Sequence, residues 1–148
     1  MNILITGGCG FVGSNIAIFL KKRLKKANIL SFDNLYRKGS KSNLARLKKY
    51  NIKNINKDIS KAKNLLNIKK IDLIIDCCAE PAIEQSKKEV DRVFNTNLLG
   101  TLNILKKCVR DKANIIFLSS SRVYSIKEIY KKYKKNKSFI KNEKFTTE

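Results

Sequence analysis

The sequence opens on a short apolar run that leads directly into a glycine-rich turn. Residues 2–6 read Asn-Ile-Leu-Ile-Thr, and Gly7, Gly10 and Gly13 follow at GxxGxxG spacing. An apolar helical pattern begins at once, and a second apolar run ends at Asp33. This order is typical of a βαβ unit that binds a dinucleotide, because glycines let the backbone approach a pyrophosphate and the helix N-terminus stabilises its charge. The alternative is an ordinary tight turn.

Apolar runs and helical patterns alternate along the chain, which predicts an α/β fold with a Rossmann-type, doubly wound parallel sheet of about five strands. The predicted strands are Asn2–Thr6, Asn28–Phe32, Ile52–Asn56, Leu73–Cys77 and Asn114–Ser119. The predicted helices are about Val12–Lys26, Ser42–Tyr50, Ser60–Leu66 and Val90–Arg110. Ser42 and Ser60 are predicted N-caps, and the last helix carries on one side Val93, Phe94, Leu98, Leu102 and Leu105.

The predicted organisation is a dinucleotide-binding domain over residues 1–125 and a Lys-rich loop or disordered tail over 126–148. The chain has 33 Lys and Arg against 12 Asp and Glu, a net charge of +21. The lysines are scattered, which favours solvated faces and non-specific polyanion binding over a specific nucleic-acid site. Four cysteines without CxxC spacing and no histidine predict no metal site. No apolar stretch could span a bilayer, so we expect no membrane partner and a cytoplasmic protein.

Five segments of the chain resemble, in order, the extended short-chain dehydrogenases/reductases. They read GGCGFVG, FDNLYRKGSKSNL, CCAEPAIEQS, FNTNLLGTLNIL and FLSSSRVYS. More narrowly, they are similar to the NAD-dependent nucleotide-sugar epimerases, in the subgroup that acts at C2 of CDP-sugars. The resemblance implies an isomerase in which NAD removes a hydride from a sugar carbon and returns it to the other face. Dehydratase relatives carry Asp-Glu where this chain has Ser121-Arg122, so an epimerase is favoured.

The resemblance also implies residues that bind the cofactor, NAD. Phe11 and Val12, with the glycine turn, would lie under the pyrophosphate. Asp33 would accept hydrogen bonds from the adenosine ribose, which favours NAD, although Arg37 and Lys38 could meet the 2′-phosphate of NADP. The remaining residues that the resemblance places at the cofactor are Asn34, Leu35, Asp58, Ile59, Cys78, Ala79, Glu80 and Asn97.

Several of these positions have an alternative interpretation or depart from the family pattern. Asp33 could be the acid of a turn, Asp58 a solvated acid, and Asn97 a helix residue bonded to nearby backbone. Asp76 stands where relatives often have histidine, and Glu80 stands where glutamine is common. Both changes add acids near the expected cofactor.

For catalysis, the resemblance implies that Ser120 hydrogen-bonds the sugar oxygen, although three consecutive serines are also common in turns. The family's base is a tyrosine in Tyr-x-x-x-Lys. Tyr130 and Lys134 have this spacing but lie soon after Ser120 in a Lys-rich stretch, so coincidence is favoured. The chain therefore resembles the N-terminal half of an epimerase, from a truncated or split gene.

We expect this chain to act on a nucleotide-sugar only with a complementing C-terminal half. The expected protein partner is a second copy of the chain, in a homo-oligomer, or a second, different chain. The first alternative is a non-catalytic NAD-binding module or partner subunit. The second is a basic nucleic-acid-binding protein, which rests on the charge alone.

Overall fold

A computed structural model describes residues 1–80 and 88–119 of the chain. The strands of this part run parallel in one sheet of order β3-β2-β1-β4-β5. Their bounds are β1 Asn2–Thr6, β2 Asn28–Phe32, β3 Lys53–Ile55, β4 Leu73–Asp76 and β5 Asn114–Phe117. The helices are α1 Phe11–Arg23, α2 Ser40–Lys49, α3 Ala62–Leu66, α4 Val90–Phe94 and α5 Gly100–Asp111, with a π-helical segment, Asn95–Leu99, between the last two. The predicted Rossmann-type α/β fold is confirmed.

The core lies on both faces of the sheet because β1 is apolar at successive positions. Ile3 and Ile5 belong to one buried cluster together with Ala17 of α1. Leu4, between them, belongs to the opposite cluster together with Ile104 of α5. Successive side chains of a strand point to opposite faces, so a nearly continuous apolar run is what a central parallel strand requires. This packing fixes the carboxyl ends of the central strands, where the site lies.

The helix starts differ from the prediction. The N-caps at Ser42 and Ser60 are wrong: the N-caps of α2 and α3 are Gly39 and Lys61, and neither makes a side-chain capping bond. The hydroxyl of Ser60 instead donates to Oδ1 of Asp58 at 2.7 Å. The hydroxyl of Ser60 is therefore bonded to Asp58 and does not cap α3 as the sequence pattern had predicted.

The long helix predicted over Val90–Arg110 is divided into α4, the π-helical segment and α5, and its apolar side faces outward. Four residues on that side are between 44% and 55% exposed: Phe94, Leu98, Leu102 and Leu105. The buried face of α5 carries Asn103 and Lys107, whose side chains donate to the carbonyl oxygens of residues 59, 60, 68 and 69. These hydrogen bonds, and for Lys107 an ion pair with Asp111, offset the cost of burying the two side chains, so hydrophobicity alone does not identify this face.

Candidate functional site

The chain builds the sheet outward from β1 in one direction through β2 and β3, and then continues with β4 and β5 on the other side of β1. This change of side brings three loops together at the carboxyl edge of the sheet. Thr6 lies in register with Phe32 on one side and with Asp76 on the other. The glycine turn, Asp33 and the segment after β4 follow these three residues directly. Open α/β sheets bind ligands in the crevice at such a switch point. The cavity found there is lined by residues that include Gly7, Gly10, Asp33, Ile59 and Cys78.

The turn after β1 requires glycine at two positions. Gly7 has a φ of +60°, and a Cβ atom there would lie 2.6 Å from the carbonyl oxygen of Cys77. A Cβ atom on Gly13 would lie 2.3 Å from the carbonyl oxygen of Gly7. Neither contact is possible for a residue with a side chain, so the turn can pass this close to β4 and to α1 only with glycine. Gly10, the N-cap of α1, donates its N–H to Gly7 at 2.8 Å.

The first turn of α1 begins directly after its N-cap, Gly10, which lines the cavity. In the described part of the chain, Phe11, Val12 and Gly13 follow this lining residue but do not line the cavity themselves. The first helical hydrogen bond runs from Ser14 to Gly10 at 3.0 Å. The N–H groups of Phe11, Val12 and Gly13 have no acceptor within the described part of the chain. The first turn of α1 carries no acidic residue, and its last turn is basic. Unpaired N–H groups at the positive end of a helix dipole fit a pyrophosphate.

Asp33 holds the turn and keeps the capacity to bind a ligand. The N–H of Cys9 donates to its Oδ2 at 3.0 Å, and the N–H of Leu35 donates to its Oδ1 at 2.8 Å. Leu35 takes a left-handed conformation, with a φ of 58°, and Asn34 accepts from the N–H of Tyr36 at 3.1 Å. A carboxylate offers about four lone-pair sites, so Asp33 retains two for ribose hydroxyls. The turn-forming and ribose-binding interpretations of Asp33 are therefore compatible.

The loop after β3 places Ile59, rather than the carboxylate of Asp58, on the cavity. Ile59 is 5% exposed and lines the cavity. Asp58 directs Oδ1 into its own loop, where it accepts from the N–H of Ser60 at 2.8 Å as well as from the hydroxyl. The alternative interpretation of Asp58 was an acid that does not contact the cofactor. These contacts within the loop agree with that alternative. Adenine binding by the pair stays a prediction.

The segment after β4 runs along the other wall of the cavity, which Cys78, Ala79 and Glu80 line. Asn97, in the π-helical segment, holds this wall with its side-chain amide. Its Oδ1 accepts from the N–H of Glu80 at 2.8 Å, and its Nδ2 donates to the carbonyl oxygen of Glu80 at 3.2 Å. Asn97 is thus bonded to backbone, but to a residue 17 positions away rather than to nearby backbone, and these bonds join the helix to the segment after β4. Cofactor binding by Asn97 stays a prediction. Single turns of π-helix occur often at functional sites.

Asp76, at the end of β4, is a buried carboxylate. Its Oδ1 accepts from the hydroxyl of Thr6 and from the N–H of Cys78. Its Oδ2 is buried and has no partner in residues 1–80 and 88–119. Burial raises the pKa of Asp76, and the two hydrogen bonds only partly offset that effect. The protonated carboxyl is favoured here because it avoids an isolated charge in the interior.

The cysteines near the cavity are poor nucleophiles. Burial, with smaller contributions from neighbouring carboxylates, raises the pKa of Cys9 and Cys77 to about 11 and that of Cys78 to about 12. The thiolate is the reactive form, and the raised pKa values favour the protonated thiol at neutral pH. In the part of the chain that the structure describes, no three His, Cys, Asp or Glu side chains gather as metal ligands. The same part contains no helix long and apolar enough to cross a membrane.

A profile of the NAD dependent epimerase/dehydratase family matches residues 3–146 of the chain. The chain belongs to this family. The predicted cofactor, NAD, is confirmed at the level of the family. The resemblance drawn from the five sequence segments is likewise confirmed.

Individual members of the epimerase/dehydratase family are similar to the chain over most of its length. The dTDP-D-glucose 4,6-dehydratase of Dictyostelium discoideum is 36% identical over 127 residues, which cover 82% of this chain and 29% of that protein. The CDP-paratose 2-epimerase of Salmonella typhi is 34% identical over 137 residues, which cover 88% of this chain and 40% of that protein. A UDP-glucose 4-epimerase of Bifidobacterium longum, in complex with NAD+ and UDP, has a TM-score of 0.71 at 27% identity, over 84% of this chain and 38% of that one. The chain spans less than half the length of these relatives.

Some residues of the site were missed by the sequence analysis, and others lie outside the described residues. Tyr36 and Arg92 line the cavity, but neither was singled out. Arg92 reaches the cavity from α4, which is distant in sequence, so no local spacing pointed to it. The predicted catalytic residue, Ser120, lies outside the described residues. So do Tyr130 and Lys134, whose Tyr-x-x-x-Lys spacing is interpreted above as a coincidence.

Proposed function

We propose that this chain forms the NAD-binding part of a nucleotide-sugar epimerase that acts at C2 of a CDP-sugar. The observation that carries the proposal is the arrangement of two complementary groups at one edge of the sheet. Three N–H groups at the start of α1, which have no acceptor within residues 1–80 and 88–119, fit a pyrophosphate. The carboxylate of Asp33, with two free lone-pair sites, stands on the neighbouring strand end, where an adenosine ribose would extend.

The chain's residues have separate tasks in this proposal. NAD, when bound, supplies the hydride acceptor and donor at the sugar carbon. The N–H groups of Phe11, Val12 and Gly13 hold the pyrophosphate, and Asp33 accepts from the ribose hydroxyls. The buried side chain of Ile59 forms an apolar part of the cavity wall that suits an adenine. Ser120 hydrogen-bonds the oxygen of the reacting sugar carbon.

Epimerisation is proposed rather than dehydration because of two residues in the sequence. Ser121 and Arg122 stand where dehydratase relatives carry an acid pair, and a dehydratase needs such a pair to expel water. Similar relatives include both a dehydratase and an epimerase, so overall similarity does not decide between the two. The choice of C2 of a CDP-sugar rests on the resemblance of the segments around Asp33 and Ser120.

Calorimetric titration with NAD tests this function. We expect the wild-type protein to bind NAD and Asp33→Asn to bind about tenfold more weakly, because hydrogen bonds to a charged acceptor are stronger than bonds to an amide. Asp72→Asn is the matched control. Asp72 also accepts a backbone N–H, from Asn2 at 2.7 Å, but it lies at the opposite edge of the sheet. Equal losses in the two variants, or no NAD binding by the wild type, would contradict the proposal.

A further inference from the structure

Beside the cofactor site, one buried carboxylate is shared between two arginines. The side chain of Glu80 is 4% exposed. One of its oxygens accepts from the guanidinium of Arg37, and the other lies 2.8 Å from Nη2 of Arg92. Arg37 lies between β2 and α2, whereas Arg92 lies in α4, so Glu80 joins three segments that are distant in sequence. Removing one partner of a buried ion pair leaves an uncompensated charge, so this arrangement resists separation.

Further contacts keep the Glu80 carboxylate in place. Asn97 bonds both the N–H and the carbonyl oxygen of Glu80, which fixes the backbone from which the side chain extends. The guanidinium carbon of Arg92 lies 3.0 Å from the centroid of the Tyr36 ring. Nη1 of Arg92 lies 3.1 Å from the carboxylate of Glu89. The carboxylate of Glu80 cannot turn toward solvent without breaking several of these contacts.

This ion cluster is electrically balanced although the chain as a whole is strongly basic. Arg37 and Arg92 meet Glu80 and Glu89, whereas the net charge of the chain is +21. Arg37, Arg92 and Glu80 line the same cavity as Asp33, the carboxylate proposed to accept from the ribose hydroxyls. The arginine that follows Asp33 most closely in sequence is therefore already engaged by a buried acid.

We infer that Glu80 is a positioning residue that sets the choice of dinucleotide, because it holds Arg37 away from the 2′ position of the adenosine ribose. This inference rests on the proposed NAD-binding function. NADP differs from NAD by a 2′-phosphate, and an arginine near the acid at the end of the second strand accommodates that phosphate in proteins that bind NADP. Arginine recognises phosphate through bidentate, charge-assisted hydrogen bonds. The guanidinium of Arg37 is instead paired with Glu80 and is not available to bind a 2′-phosphate. The Asp33 carboxylate repels the same phosphate, so both residues disfavour NADP.

Glu80→Gln tests the inference because it keeps the shape of the side chain and removes its charge. Calorimetry at fixed salt should show the ratio of NADP affinity to NAD affinity rising about tenfold in this variant, since the freed guanidinium gains charge-assisted bonds to the 2′-phosphate. Adding Arg37→Gln should remove the gain, which separates Arg37 from Lys57, another cation that lines the cavity. Asp72→Asn is the control, because it removes a carboxylate at the opposite edge of the sheet, and it should leave the NADP/NAD ratio unchanged.

A second variant keeps the inference falsifiable if Glu80→Gln does not fold. In the wild-type background, Arg37→Gln should leave the NADP affinity unchanged, because Arg37 is already paired. Adenosine 2′,5′-bisphosphate and 5′-AMP differ only in the 2′-phosphate. Glu80→Gln should therefore also raise the affinity for the bisphosphate relative to 5′-AMP, and Arg37→Gln should leave that ratio unchanged. A loss of NADP affinity in Arg37→Gln, or a Glu80→Gln variant with the wild-type preference, would overturn the inference and leave the NAD site standing. Absence of NAD binding by the wild type would overturn the proposed function, and the inference with it.

Discussion

The carboxylate of Asp76 is buried where three strand ends meet, and its burial has a free-energy cost because one of its oxygens has no hydrogen-bond donor among the described residues. Its Oδ1 ties β1 to the segment after β4 through Thr6 and Cys78, while its Oδ2 is buried without a partner among the described residues. Burial raises the pKa of Asp76 above its ordinary value of 3.8. Folding therefore favours the protonated form. The resulting stabilisation is fully present below the unfolded-state pKa and is lost as the pH rises through the folded-state pKa.

Asp76→Asn should raise the free energy of unfolding at pH 7 by about 1–2 kcal/mol and have little effect near pH 4. The asparagine keeps an oxygen for Thr6 and Cys78 and carries no charge at either pH. Urea unfolding at the two pH values measures the difference between variant and wild type. Asp72→Asn, at an exposed carboxylate, is the control for general effects of acid. A difference that is the same at both pH values would show that ionisation of Asp76 is not the cause.

At the scale of an element, the start of α1 depends on how closely the helix approaches the turn before it. Gly13→Ala should lower the free energy of unfolding by about 1–3 kcal/mol, because its Cβ atom would lie 2.3 Å from the carbonyl oxygen of Gly7. It should also weaken NAD binding at least about tenfold, since the unpaired N–H groups move with the helix. Urea unfolding and NAD titration measure the two effects.

The matched control for the start of α1 is Gly39→Ala, at the N-cap of α2. A Cβ atom at Gly39 would meet nothing within 4 Å, and the φ of this residue is −70°. We expect stability and NAD affinity in this variant to stay near the wild-type values. Equal effects of the two alanine substitutions would mean that the close approach at Gly13 is not what shapes the site.

The elements also show which features the sequence predicted and which it could not. The strands and the glycine turn were predicted because their signals are local: apolar runs, glycine spacing and an acid at a strand end. The division of the last helix was not predicted, because the π-helical segment coincides with two long-range hydrogen bonds between the side chain of Asn97 and the backbone of Glu80. The outward apolar face of that helix was missed because Asn103 and Lys107 find backbone partners far along the chain. Contacts between distant segments leave no spacing to recognise.

At the scale of the whole molecule, binding and catalysis make different demands. The 148 residues alone should show no epimerase turnover with NAD and CDP- or UDP-sugars. A base such as the family's tyrosine is typically worth about 10²–10⁴-fold, and positioning of the sugar is worth about 7–11 kcal/mol. Ser120 replaces neither contribution. Product analysis by NMR measures turnover, and Tyr130→Phe is the informative variant. Turnover that this variant abolishes would make Tyr130 and Lys134 a catalytic pair, contrary to our interpretation.

The central claim is that the carboxyl edge of the sheet is an NAD site, with the pyrophosphate at the start of α1. A ¹H–¹⁵N chemical-shift titration of the labelled protein with NAD tests this claim most directly. We predict that the largest shifts occur at the amides of Phe11, Val12 and Gly13, with a further group at Leu35 beside the Asp33 carboxylate. Shifts that instead concentrate at the opposite edge of the sheet, around Asn2 and Asp72, would contradict the claim. So would shifts spread over the scattered lysines.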